Sequence, residues 1–156
     1  MADIDPRSLL AYRILSLSSL LNRGIESILQ TEVGLSVRQW RVLLYLGSRG
    51  PDSVQRIADF WRYDKSQVSR AVTELQALSA VQVNPDKHDR RSVVVSLTRT
   101  GRRLYARALP LSLHRQARLT NCVSDKEIAI FDRTLDALTH QAQMLLEEAQ
   151  GKSDSV

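Results

Sequence analysis

The sequence predicts a mainly α-helical protein with one small β-hairpin, arranged as a winged helix-turn-helix lobe between long terminal helices. Residues 52–78 contain two short amphipathic segments separated by a turn, which is the pattern of a helix-turn-helix. Residues 81–97 then form two β-branched segments around a charged loop, as expected for a hairpin. Both ends of the chain carry apolar residues at heptad spacing, which is typical of helices that pack along their length.

The length and charge of the chain limit what it can be. Its 156 residues suit a single domain over 1–156, with the winged-helix lobe at 36–100 and helical segments at 8–33 and 101–150. The net charge is +5, but residues 62–107 hold ten Lys or Arg against four acids, whereas residues 124–150 hold two against six. The basic middle of the chain therefore favours an acidic partner, such as nucleic acid or an anionic membrane.

Several functional classes have no support in the sequence. There is one cysteine, Cys122, so no internal disulfide is expected. No apolar run or leader pattern is present, which predicts a cytoplasmic protein without a membrane partner. The chain has no Gly-rich phosphate loop and no His-Glu-x-x-His motif, so no enzyme is predicted. His88, His114 and His140 lack metal-ligand spacing, so no metal or cofactor is expected.

The N-terminal third is predicted to form two helices. The first spans about 8–31 and carries a stripe of Leu10, Ile14, Leu17 and Leu21, at alternating spacings of four and three. Gly34 ends this region. A second helix over about 37–46 begins at the capping box Ser36–Gln39; its core face comprises Trp40, Leu43 and Leu44.

The next two helices form the predicted helix-turn-helix. A short helix opens at 52–55 and ends near Phe60, and a turn over 61–63 leads into a helix over 64–78. Asp64 is expected to cap this last helix, with Gln67 reaching back to it. Its inward side comprises Val68, Ala71, Val72, Leu75 and Leu78. Its outward side comprises Ser66, Ser69, Arg70 and Thr73, residue types that suit base edges and phosphates.

A hairpin and two further helices complete the chain. Strands are predicted at 81–83 and 92–97, and a basic tip between them can enter the narrow minor groove of DNA. A helix then runs to about Leu119, with Pro110 expected to kink or interrupt it. The capping box Ser124–Glu127 opens the last helix. Its heptad positions are Ile128, Phe131, Leu135, Leu138, Ala142, Leu145 and Ala149, and the tail after Gly151 is expected to be disordered.

In this order, these elements resemble the MarR family of bacterial transcription regulators over about 8–148. The most specific segment is 89–101, where Asp89-Arg90-Arg91 is similar to the family's D-x-R wing signature and is followed by a strand, Leu-Thr and Gly. The segment 64–70 resembles the start of the family's recognition helix. Four positions depart from the family: Ser79 and Arg62 stand where Gly is common, and Val83 and Asn84 stand where basic residues are often found.

The resemblance implies a homodimer that binds double-stranded DNA. Its dimerisation helices would be 8–33 and 101–150, and its recognition helices would meet a palindromic operator one helical turn apart. Repression is the commoner mode in the family. Arg91 matches the wing arginine of the minor groove, and Asp89 would orient it. Predicted DNA-binding residues are Lys65, Ser66, Gln67, Ser69, Arg70, Thr73, Lys87, His88, Asp89, Arg90, Arg91, Arg62 and Ser53.

The sequence does not decide how the protein is regulated, and it leaves one alternative function open. Many family members release DNA when a small anionic aromatic effector binds, and the residues that would line such a pocket are Arg38, Trp40, Arg41 and Tyr45. For Trp40 a core position competes with this role. Cys122 fits an inert thiol better than a redox sensor. The alternative function is a winged-helix module that binds proteins without specific DNA binding, although the basic wing argues against it.

Overall fold

The predicted architecture is confirmed by a computed structural model, which describes residues 4–85 and 93–153. After a 3-10 turn at Pro6–Ser8, these residues form α1 (Leu10–Val33), α2 (Val37–Arg49), α3 (Val54–Trp61), α4 (Lys65–Ala77), β1 (Val81–Pro85), β2 (Val93–Leu97), α5 (Arg99–Thr120) and α6 (Asp125–Ser153). The chain divides into two compact units after Leu113. The first unit contains the helix-turn-helix and its wing, and the second contains the end of α5 and all of α6.

The core of the first unit joins five elements. Leu29 of α1, Leu43 of α2, Ile57 of α3, Leu75 of α4 and Val95 of β2 are all fully buried. Leu43 and Leu75 come from the inward faces that the apolar spacing predicts, and burying side chains of this size stabilises a fold by about 1.5–3 kcal/mol each. The helix-turn-helix and the hairpin are therefore held by one shared core.

The wing is a two-stranded antiparallel sheet, to which Asp52 adds a single β-bridge. Val81 pairs with Leu97 and Pro85 with Val93, so β1 runs two residues beyond the predicted strand. Asp52 forms an isolated antiparallel bridge to Val95, with backbone hydrogen bonds of 3.1 and 2.8 Å in the two directions. Because Asp52 bridges to the wing, Ser53 rather than Asp52 is the N-cap of α3, where its hydroxyl accepts from the Arg56 amide.

Two of the three predicted capping boxes are confirmed. Ser36 and Gln39 exchange both hydrogen bonds at the start of α2. Ser124 and Glu127 do the same before α6, and their hydrogen bonds lower the pKa of Glu127. The prediction for α4 is wrong, because the Asp64 side chain makes no capping hydrogen bond. The backbone N–H of Gln67 already donates to the backbone carbonyl of Asp64 at 2.9 Å.

Arg62 and Ser79 end α3 and α4 in the left-handed region, with φ of 52° and 53°. In both turns the backbone N–H of the next residue donates to the carbonyl five residues earlier, from Tyr63 to Ala58 and from Ala80 to Leu75, as in a Schellman motif. This conformation costs a residue with a Cβ roughly 1–2 kcal/mol. The sequence therefore places two residues with a Cβ where glycine would be less strained.

Three further predictions differ from the structure. Helix α5 continues through Pro110, so the predicted interruption does not occur, because proline removes only one backbone donor; the predicted kink stays a prediction. Leu78 is 47% exposed, because α4 ends at Ala77 and its inward face stops at Leu75. Helix α6 extends past Gly151 to Ser153, so the last three residues of the predicted tail lie outside the described residues.

Candidate nucleic-acid interface

Helix α4 has one buried and one exposed face. Val68, Ala71, Val72 and Leu75 are each at most 4% exposed, and they hold the helix on the core. The predicted outer residues are turned away from that core: Lys65, Ser66, Ser69, Arg70 and Thr73 are exposed, and Gln67 is half-buried. This arrangement presents hydroxyl, amide and cationic groups on one side of a fixed helix, which is the chemistry of base and phosphate recognition.

Two residues on or beside this face make hydrogen bonds to other described residues. Thr73 donates its hydroxyl to the Ser69 carbonyl of its own helix at 3.1 Å. Glu74, at the far end, accepts from Gln39 of α2 at 2.9 Å. The other side of the Gln39 amide accepts from the Ser36 backbone at 2.8 Å, so one side chain caps α2 and ties it to α4. The sequence shows only the capping role of Gln39, because the contact to Glu74 depends on the packing of the two helices.

Arg38 lies on this face of the lobe rather than beside the other predicted effector residues. It is exposed in the first turn of α2. Together with Gln67 and Arg70 it lines a recess of about 390 Å³ whose wall also includes Glu26 and Glu74. A cation in the first turn of a helix opposes the helix dipole, so its position there is not explained by helix stability.

The remaining predicted DNA contacts fall in two groups. Ser53 and Arg62 lie at the two ends of α3, and the Ser53 hydroxyl is used as a cap acceptor. Arg62 is exposed in the turn before α4. The wing-tip residues Lys87, His88, Asp89, Arg90 and Arg91 lie outside the described residues, so their predicted roles stay predictions.

Trp40 and Tyr45 of the predicted effector set are buried, at 3% and 6% exposure. The Trp40 ring stacks on Tyr105 at 5.9 Å between centroids. The Tyr45 hydroxyl donates to Asp52 Oδ2 at 2.7 Å; this hydrogen bond, with burial and the negative charge of Asp52, raises the pKa of Tyr45. Both rings therefore pack inside the lobe, and the Tyr45 bond supports the residue that bridges to the wing.

Arg41 is the fourth predicted effector residue, and its guanidinium is half-buried, which lowers its pKa. It donates to Asn22 Oδ1 of α1 at 2.8 Å. It also lies over the rings of Trp61 and Tyr63, 5.7 and 5.2 Å from their centroids. The four effector candidates thus lie in different surroundings, and among them Arg41 combines a cation, aromatic rings and partial exposure.

Within the described residues, no group of three or more His, Cys, Asp or Glu side chains is placed to hold a metal ion. Over the same residues, none of the helices has the length and apolar character to cross a bilayer. The site that the described residues do build is the polar face of α4 with its neighbours.

Comparison with known sequences points to one family. Residues 33–92 match the model described as the MarR family. Over 72 residues the chain is 33% identical to the HTH-type transcriptional repressor NicR of Pseudomonas putida, a match covering 46% of this chain and 46% of that protein. The chain thus matches a little less than half of the length of this curated relative.

Solved structures extend the likeness to nearly the whole chain. A MarR/EmrR family transcriptional regulator from Acinetobacter sp. ADP1 has a TM-score of 0.85 and 26% identity, covering 90% of this chain and 99% of that one. BpsR of Bordetella bronchiseptica, whose DNA binding is regulated by 6-hydroxynicotinic acid, has a TM-score of 0.77 and 20% identity, covering 88% and 98%. At 20% identity this second likeness concerns the fold.

Proposed function

We propose that this chain, whose residues 33–92 match the MarR family model, is a member of that family and regulates transcription by binding a specific DNA operator. The observation that carries the proposal is the outer face of α4. Ser66, Ser69 and Arg70 are exposed on a helix whose opposite side is locked into the core. Small hydroxyl side chains allow close approach to the major groove, and arginine can bond guanine bidentately. Members of this family act by binding rather than by catalysis.

In the proposed complex α4 reads bases while the wing holds the backbone. Arg91 enters the minor groove, oriented by Asp89, and Lys87, His88 and Arg90 contact phosphates, as the family resemblance implies. Lys65, Gln67 and Thr73 support the contacts of α4, and Arg62 and Ser53 add phosphate contacts at the ends of α3. The net charge of +6 over residues 62–107 supports this assignment, because phosphate neutralisation supplies much of the affinity for DNA.

We propose further that the regulator is a homodimer on a palindrome. The first unit leaves Leu10, Ile14 and Leu17 of α1 at 40–51% exposure, and the second leaves Phe131 and Leu145 of α6 at 53% and 55%. Exposed apolar residues that recur along a helix indicate an interface. A two-fold dimer places its recognition helices about 34 Å apart, which matches half-sites one helical turn apart.

The mode of control is also part of the proposal. Repression is supported by the name of the relative NicR, and action in the cytoplasm follows from a DNA target. A small anionic aromatic effector is supported by BpsR, whose DNA binding responds to 6-hydroxynicotinic acid. In this chain Arg41 would bind the effector's carboxylate, because its guanidinium is only half-buried and forms no ion pair with the described residues.

The base-reading role of α4 is tested with an operator fragment carrying single-base substitutions. Arg70→Ala is expected to weaken binding by about 1–3 kcal/mol and to remove discrimination at one position of each half-site. The control Arg23→Ala removes the same charge from the exposed side of α1 and is expected to keep the specificity profile. If Arg70→Ala weakened all the substituted fragments equally, α4 would not read bases, and the protein-binding alternative would gain support.

A further inference from the structure

The turn before α4 is held by one residue of α2. The Arg41 guanidinium lies over the rings of Trp61 and Tyr63, the two residues on either side of Arg62. In return, the indole N–H of Trp61 donates to the backbone carbonyl of Arg41 at 3.1 Å. Arg41 thus contacts this turn through both its side chain and its main chain. Cation–π contacts of this kind strengthen when the cation is partly desolvated, as the burial of Arg41 implies.

The same guanidinium reaches the first helix. Its Nη2 donates to Asn22 Oδ1 at 2.8 Å in a partly buried position. Within the described part of the chain no carboxylate forms an ion pair with Arg41, and its side chain contacts the Asn22 amide and the two rings. One side chain therefore joins α1, α2 and the turn that leads into α4.

The start of α4 depends on this turn more than on its own cap. The Asp64 side chain makes no capping hydrogen bond, and Arg62 is held in the left-handed region. Edge-to-face contacts between Tyr45 and Phe60, at 5.2 Å, and between Phe60 and Trp61, at 4.9 Å, anchor the end of α3 on α2. Tyr63 lies immediately before Asp64, the N-cap of α4, so the Arg41 contact lies on the residue that leads directly into the recognition helix.

We infer that Arg41 is a positioning residue for the recognition helix, which sets the start of α4 by clamping Trp61 and Tyr63 and which couples that position to α1 through Asn22. The inference rests on the proposed function, in which α4 enters the major groove. It adds a route by which a change at α1 alters DNA affinity without any change in the residues that contact DNA. Losing the clamp lowers the fraction of molecules whose α4 is correctly placed. The apparent affinity for DNA falls in proportion to that fraction.

The test compares Arg41→Met with Arg23→Met in the full-length chain. Methionine keeps an unbranched stem but loses the charge and the donors. Arg23 is exposed on α1, one residue after Asn22, so its substitution removes the same charge without touching the turn. Arg41→Met is expected to weaken binding to the operator fragment about tenfold at every salt concentration, with an unchanged salt slope, whereas loss of a phosphate contact lowers the slope by about one. Arg23→Met is expected to bind within about twofold of wild type, since it keeps the clamp.

Hydrogen exchange supplies a second readout that does not need DNA. In free Arg41→Met protein, amides over residues 61–68 are expected to exchange faster than in wild type, while those of α6 exchange at the same rate. If Arg41→Met does not fold, Arg41→Lys and Asn22→Ala take its place, because each keeps part of the clamp; both are expected to shift exchange in the same segment by less.

Three results would overturn the inference. One is unchanged exchange over residues 61–68 in a folded Arg41 variant. Another is an affinity of Arg41→Met for the operator fragment within twofold of wild type. The third is a salt slope of its DNA binding lowered by one, which would make Arg41 a direct DNA contact. Wild-type protein that binds no fragment specifically would refute the proposed function instead, and the exchange data would still decide whether Arg41 positions the turn.

Discussion

Substituting Gly101 with alanine tests how the wing is seated on the rest of the lobe. Gly101 lies in the first turn of α5 and is buried. A Cβ at this position would overlap the Ala80 carbonyl oxygen, and it would lie 3.0 Å from the Ala80 carbonyl carbon and 3.2 Å from Leu97 Cδ2. The obstacle is backbone rather than a flexible side chain, so either α5 or the base of the wing must shift.

The size of the effect follows from the groups that would move. The Ala80 oxygen accepts from the Thr98 amide at 3.0 Å and from its hydroxyl at 3.1 Å, and hydrogen bonds of this kind contribute about 1 kcal/mol each. Overpacking costs about 1–3 kcal/mol, while the helix propensity of alanine returns about 1 kcal/mol. We therefore expect Gly101→Ala to lower the free energy of unfolding by about 2–4 kcal/mol.

The measurement is urea denaturation followed by circular dichroism, at one protomer concentration, because association shifts apparent stability. Gly151→Ala in α6 is the matched control: a Cβ there meets nothing within 4 Å, so the variant is expected to be neutral or more stable by up to about 1 kcal/mol. A Gly101→Ala protein as stable as wild type would refute the close seating of α5 on Ala80.

Three other substitutions have definite expected outcomes. Tyr45→Phe removes the hydrogen bond to Asp52 and is expected to cost about 1–2 kcal/mol in denaturation; a change under about 0.5 kcal/mol would contradict it. Ser79→Gly relieves the left-handed strain at φ 53° and should raise the unfolding free energy by up to about 1 kcal/mol, since glycine's extra chain entropy offsets part of the gain; a lower melting temperature would count against this reasoning. Phe131→Asp places a charge at a 53% exposed apolar position and is expected to move the sedimenting mass from dimer to monomer; an unchanged mass would remove α6 from the proposed interface.

The order of the elements could be predicted from the sequence because each one carries a local signal. The α4 face follows from the spacing of Val68, Ala71, Val72 and Leu75, and all four are buried. The capping boxes at Ser36 and Ser124 are likewise local patterns, since donor and acceptor are three residues apart. Such signals fail where a competing partner exists, as at Asp64, whose carbonyl already accepts the amide that its side chain was expected to bind.

The candidate site was less predictable, because its contacts join distant parts of the chain. The Gln39–Glu74 and Arg41–Asn22 hydrogen bonds span 35 and 19 residues, and neither has a signature in the intervening sequence. The effector set was inferred from four neighbouring residues of α2. A helix distributes neighbours around its axis, and the structure places Arg38 near α4, Trp40 and Tyr45 in the core, and Arg41 against the turn before α4.

The most direct test of the central claim is binding of the full-length chain to duplex DNA, measured by fluorescence anisotropy. Fragments from beside the encoding gene are compared at about 50 and 200 mM salt with an unrelated duplex. We expect one fragment to bind tightly at physiological salt, with two protomers per site. Its affinity should fall about 10³–10⁵-fold between the two salt concentrations, as for six to ten phosphate contacts, and Arg91→Ala should weaken it. Weak binding that is equal for every fragment and unaffected by Arg91→Ala would contradict a sequence-specific regulator.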